Sequence, residues 1–104
     1  MAIHKKEAFG KKKQQLALFG RAIAHPARVA ILKILAREEQ CNCANLVDRL
    51  PLSQSTVSQH LKELKDCGLI TGATRGTSSI YALNQTSIRA FEKELKKLLR
   101  SLKN

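Results

Sequence analysis

Leu16, Phe19 and Ile23 stand three and four residues apart, a spacing that predicts a helix over residues 14–23 with this face buried. His25-Pro26 ends that helix and opens the next, because proline fits a first helical position where its missing N–H has no partner to lose. From Val29 to Leu35 only Lys33 is polar, so the second helix belongs at the centre of the fold. Leu46 and Leu50 predict a short third helix that Pro51 stops. Val57, Leu61 and Leu64, at i, i+4 and i+7, predict a fourth with Ser53 as its N-cap. Cys67-Gly68 reads as the end of that helix, with Gly68 left-handed. Residues 69–74 and 77–83 are rich in Thr, Ile and Tyr around Arg75-Gly76, which predicts two strands joined by a short turn. Ile88, Phe91, Leu95, Leu98 and Leu102 then recur at intervals of three, four, three and four, a heptad seam on a final helix of about five turns.

The polar positions say what this frame is for. In residues 46–61 a short helix, a tight turn and a second helix follow one another directly. The face of the second helix opposite its apolar stripe carries Gln54, Ser55, Ser58, Gln59 and Lys62, with no carboxylate until Glu63 and Asp66. Such a face suits base edges and phosphates. The fold class is therefore mainly α with a small β-hairpin: a winged helix-turn-helix, with the hairpin as the wing and Arg75 at its tip, placed to lie along a phosphate backbone or enter a minor groove. An ordinary helical hairpin with solvated Ser and Gln, and a wing whose Arg serves solubility, are the competing readings. Charge favours the first. The chain has 19 Lys and Arg against 8 Asp and Glu, a formal +11 on 104 residues, and a domain so basic calls for a polyanion, nucleic acid before an anionic membrane surface.

That length allows one domain. The Lys-rich start makes residues 1–13 a basic N-terminal arm or frayed helix, and residues 14–104 the DNA-binding and dimerisation domain. Three cysteines, an odd number, and no charged-then-apolar leader in residues 1–15 point to a reducing cytoplasm. Apolar runs such as Val29 to Leu32 are too short to span a membrane. No Ser, His and Asp set, paired carboxylates or phosphate loop at a usable spacing suggests an enzyme. His25 reads as a junction residue, and Arg28 as a partner for a nearby carboxylate or carbonyl.

The C-terminal seam either covers the domain's own core or meets a second copy, while its Lys93, Lys96, Lys97 and Arg100 face also admits an amphipathic membrane helix. A homodimer is the better account, with Leu16, Phe19, Ile88, Phe91, Leu95, Leu98 and Leu102 as interface candidates. Two recognition helices related by a two-fold axis read half-sites about 34 to 36 Å apart on duplex DNA.

His25-Pro-Ala-Arg-Val-Ala-Ile-Leu, Leu52-Ser-Gln-Ser-Thr-Val-Ser-Gln-His-Leu-Lys-Glu-Leu and Cys67-Gly-Leu-Ile with the wing resemble the ArsR/SmtB family of winged helix-turn-helix repressors, in unbroken order over residues 14–102. The resemblance implies a homodimeric bacterial repressor on a double-stranded DNA operator, released by an inducer that is often a metal or metalloid ion. It carries base recognition onto Gln54, Ser55, Ser58, Gln59 and His60, with Arg75 at the wing. Ser53, Thr56 and Lys62 complete the candidate DNA-binding set.

No cofactor is required, but Cys41-Asn-Cys43 is a candidate thiolate effector site for arsenite, Zn, Cd or Pb. Thiols near a helix start have lowered pKa values. The pair sits one residue earlier than the family's arsenic-sensing pattern, and that pattern's third cysteine falls on Val47 or Leu46. Residues two apart on a regular helix diverge by about 200°, so the two thiols converge only on an irregular segment. His4 of another subunit, Glu39 or Cys67 are third-ligand candidates. Asn84, Ser87, Glu92 and Lys96 stand where the family's second, interfacial site has its ligands, so that site is expected to be missing. Redox sensing by the cysteines, or no signalling role, are the other readings. A non-specific architectural DNA binder or a winged-helix protein-interaction module is the alternative for the whole chain.

Overall fold

The computed structural model describes residues 8–104. The chain runs α1 (Lys11–Ala22), α2 (Pro26–Glu38), β1 (Cys41–Asn42), α3 (Cys43–Val47), α4 (Gln54–Asp66), β2 (Ile70–Arg75), β3 (Ser78–Leu83) and α5 (Gln85–Leu102). Helix α1 begins at Lys11, three residues before the predicted start at residue 14, so Lys11, Lys12 and Lys13 are helical. Lysine is a good helix former, and the periodic apolar face marks only the part of a helix that is covered.

Local chemistry sets most boundaries. His25 caps α2, its Nδ1 accepting the Ala27 N–H at 3.1 Å, with Pro26 at the first helical position. The end of α2 is a tight reversal in which the Gln40 N–H donates to the Glu38 carbonyl at 2.7 Å while Glu39 takes φ 66°, a strained γ-turn for a residue with a Cβ. Asn42 and Asn45 cap α3 reciprocally. The Ser53 side chain accepts the Thr56 N–H at the start of α4. That helix closes with the Leu69 N–H on the Leu64 carbonyl and the Gly68 N–H on the Lys65 carbonyl, the two bonds of a Schellman cap, which needs the left-handed Gly68 (φ 86°).

The expected hairpin gains a third strand. The sheet order is β1-β3-β2, antiparallel throughout, with Cys41 opposite Tyr81 and Asn42 opposite Ile80. The register of β2 and β3 runs from Ile70 opposite Leu83 to Arg75 opposite Ser78. Arg75 is thus the last residue of β2, not part of the turn, which consists of Gly76 (φ 60°) and Thr77. A positive φ at only the first of two loop residues is the type II′ pattern, whose twist matches the strands it joins.

The core lies between α2, α4 and the strand ends, where Ile31, Leu35, Leu46, Val57, Leu61, Leu64 and Leu69 are fully covered. Each such side chain contributes about 1.5–3 kcal/mol by leaving water. Phe19 and Ala22 of α1 join this core. Phe19, an interface candidate from sequence, is only 2% exposed within its own chain and packs on Phe91 at a ring-centroid distance of 5.3 Å. Phe91 of α5 covers it within the protomer, so it is corrected to a core residue that seats α5 on α1.

Candidate nucleic-acid interface

Helix α4 divides cleanly by face. Val57, Leu61 and Leu64 fill the core. On the other side Gln54, Ser55, Ser58, Gln59 and Lys62 are all exposed and line one shallow, open concavity. The first turn of the helix holds no acidic residue, and the amide and hydroxyl groups of this face offer donors and acceptors to an edge of matching pattern. Lys62 pairs with Asp66 at 3.0 Å in an exposed i, i+4 contact, weak enough to yield to a phosphate. Ser53 and Thr56 are occupied differently: the Ser53 hydroxyl donates to Thr56 Oγ1 at 3.0 Å while accepting the Thr56 N–H, so both serve the cap.

The wing stands beside the start of α4. A second depression is lined by Asn42, Cys43 and Ala44 at the start of α3, Gln54 of α4, and Thr77, Ser78, Ser79 and Tyr81 of the wing. Arg75 at the hairpin end is exposed.

His60 does not belong to the outer face. It follows Val57 by three residues and precedes Leu61 and Leu64 by one and four, which turns it toward the apolar side. It is half-buried, with its ring centroid 4.6 Å from that of His25 and its Nδ1 3.3 Å from Arg28 Nη1. Burial lowers its pKa, and the nearby His25 and Arg28 lower it further. The expectation of a base contact from His60 is therefore corrected to an inward contact between helices. Arg28 makes the carbonyl contacts foreseen for it, from Nε to Ala22 O and from Nη2 to Arg21 O, both at 2.9 Å.

The cysteines separate. Cys41 lies in β1, 6% exposed and packed in the core. Burial pushes its thiol pKa up, against a lowering by Arg49 and with a smaller rise from Glu38. The lowered pKa expected of a thiol at a helix start is thus reversed for Cys41, because the residue precedes the helix and faces the core. Cys43 opens α3, with its Sγ 3.6 Å from Ser58 Oγ on α4. Cys67 is buried, and burial raises its thiol pKa too. Among the described residues no group of three His, Cys, Asp or Glu side chains is arranged to hold a metal ion. His4, one of the third-ligand candidates, lies outside the described residues. Asn84 and Ser87 form the N-cap of α5, and Glu92 pairs with Lys96 at 3.4 Å.

Between α1 and α5 runs an apolar groove lined by Leu16, Ala17, Gly20, Ile23, Phe91, Leu95 and Leu98. Ile88 and Phe91 are partly buried against the core, whereas Leu98 and Leu102 are 40% and 68% exposed.

Residues 25–71, which contain α2, α3, the turn and α4, match the model of the bacterial regulatory proteins of the arsR family. Across 71 residues the chain is 34% identical to the arsenical resistance operon repressor of Staphylococcus xylosus, covering 68% of this chain and 67% of that protein. The chain belongs to the ArsR family. It is also 44% identical over 63 residues to the HTH-type transcriptional repressor SmtB of Mycobacterium tuberculosis, a match that takes in 61% of this chain and 46% of the repressor. The chain therefore spans about half the length of that relative. The solution structure of a homodimeric winged helix-turn-helix DNA-binding domain from Mycobacterium bovis superposes with a TM-score of 0.70 at 24% identity, covering 99% of this chain and 93% of that one.

ArsR-family proteins are transcriptional regulators and not enzymes. In this ArsR-family chain no helix among the described residues is long and apolar enough to cross a membrane. What the residue pattern missed is the junction of His25, Arg28 and His60. Its signal was present in the sequence, since Val57, His60, Leu61 and Leu64 share one helical face.

Proposed function

We propose that the protein is a homodimeric, sequence-specific DNA-binding repressor of transcription. The observation that carries this reading is the outer face of α4, where Gln54, Ser55, Ser58, Gln59 and Lys62 form one exposed surface with its nearest carboxylate, Asp66, at the far end against Lys62, on a helix anchored by Val57, Leu61 and Leu64. Inserted in a major groove, the Gln side chains read base edges while Lys62 and Arg75 hold phosphates. The open groove between α1 and α5 seats a second copy, a reading supported by the homodimeric state of the M. bovis domain. The dimer then presents two recognition helices to successive major grooves.

Release by an effector belongs to this reading, and the relative named for arsenical resistance makes thiol-binding ions the first class to try. Cys41 and Cys43 do not fit such an ion as they stand. One thiol is in the core with a raised pKa and the other lies against α4, and two thiolates leave a trigonal or tetrahedral site unfinished. Oxidation of the more accessible Cys43 is the second effector reading, favoured by its contact with Ser58 on α4.

The test is selection of a duplex from a random library, followed by anisotropy of the selected duplex against excess scrambled competitor. Binding that survives the competitor supports the repressor. Loss of all preference, with a steep fall in salt, makes this an architectural binder instead. Adding arsenite, Zn, Cd, Pb or an oxidant to the bound complex identifies the effector class.

A further inference from the structure

The junction where α1, α2 and α4 meet is built from basic and titratable groups. Arg28 reaches from α2 to the last carbonyls of α1, Ala22 O and Arg21 O, and its remaining Nη1 meets His60 Nδ1 on α4 at 3.3 Å. A guanidinium only donates. The His60 Nδ1 must therefore offer a lone pair, and the contact exists only while that nitrogen is unprotonated. The neighbouring His25 uses its own Nδ1 lone pair to accept the Ala27 N–H at 3.1 Å, with its ring 4.6 Å from that of His60.

We infer that Arg28, His25 and His60 form a proton-sensitive latch, which fixes α4 against the α1–α2 junction when His60 is neutral and loosens it when His60 takes a proton. The charged and titratable groups around the junction are Arg28 of α2 and its N-cap His25, Arg21 near the end of α1, and Glu63 of α4 with Cys67 at that helix's C-cap. Glu63, the carboxylate one turn beyond His60, is held by Arg21. Protonation at His60 thus turns an accepted hydrogen bond into a cation facing a cation. Burial first, and then His25 and Arg28, disfavour the protonated ring. Because the fold favours the neutral ring, its contribution to stability is complete above the ordinary imidazole pKa of about 6.5 and is lost as pH falls below that value toward the lower folded one.

The consequence for function rests on the proposed DNA reading. Acidification makes any basic protein more positive and tightens non-specific DNA binding, whereas loosening α4 weakens selective binding. The two effects have opposite signs.

The experiment compares wild type with His60→Gln, whose amide oxygen accepts from Arg28 but does not titrate, between about pH 7.5 and about pH 5.5. For wild type the melting temperature and the affinity for the selected duplex both fall on acidification, with preference over scrambled DNA dropping by up to about tenfold for each unit by which His60 holds its proton more tightly in the free protein than on the duplex. His60→Gln loses this fall, its duplex affinity holding or tightening on acidification. Equal pH dependence in the two proteins, or tighter selective binding by wild type at acid pH, overturns the latch. Should His60→Gln fail to fold, the wild-type ring proton resonances decide: titration of His60 must move the amide signals of Ala22 and Ile23 in step, and titration without such movement refutes the coupling. The melting and resonance readouts need no DNA, so a chain that binds no duplex at any pH defeats the repressor reading without deciding the latch.

Discussion

Helices α4 and α5 carry the same kind of apolar stripe and meet different fates. In α4 the stripe of Val57, Leu61 and Leu64 disappears into the core of its own chain, and the polar face is what remains available. In α5 no residue is fully buried, and the stripe opens toward solvent along its length until Leu102 is 68% exposed. The difference teaches where each helix still needs something. The first has its packing satisfied and offers hydrogen-bonding groups, which suits a nucleic acid. The second keeps uncovered apolar surface beside α1, which suits another copy of the chain.

The comparison breaks most directly at the core. Leu64→Ala should lose about 2–5 kcal/mol in urea unfolding, because a fully enclosed leucine leaves a cavity, whereas Leu102→Ala should change protomer stability by less than about 0.5 kcal/mol. Equal losses would mean that α5 is as much a part of the core as α4. Charge placed in the open groove sharpens the contrast: Leu98→Glu should leave the helical circular dichroism intact, halve the mass seen in sedimentation and weaken binding to the selected duplex by on the order of 100-fold, through loss of the second reading head. A mass unchanged by Leu98→Glu would move the dimer contact elsewhere. The most localised effect on binding belongs to the polar face of α4. Gln59→Ala should weaken the selected duplex by about 1–3 kcal/mol and leave scrambled DNA unaffected; a uniform loss on both would remove Gln59 from base reading.

Long amphipathic elements were legible in the sequence because their apolar period is set by the same burial that stabilises them. The Schellman turn at Gly68 and the cap at Ser53 were legible for a related reason, since each depends on the local chemistry of a few adjacent residues. The strand β1 was not. Two residues carry no period, and Cys41 becomes a strand residue only through its distant partner Tyr81 and the Glu39 reversal before it. That pairing is also what draws Cys41 into the core and away from any ligand set drawn from spacing. A stripe likewise does not say what covers it, so Phe19 and Leu98 looked equivalent until one proved buried under Phe91 and the other open. His60 joined the candidate DNA contacts only through the family resemblance, whereas its position relative to Val57 and Leu61 turns it toward the inner side.

The central claim is that the outer face of α4 meets DNA, and its most direct measurement is a titration of the isotope-labelled protein with the selected duplex, followed through the side-chain amide resonances of its glutamines. The account predicts that the signals of Gln54 and Gln59 shift in proportion to bound duplex, while those of Gln14 and Gln15 on α1 and Gln85 at the start of α5 stay in place. Shifts confined to Gln14, Gln15 or Gln85, with Gln54 and Gln59 unmoved at saturation, would contradict it.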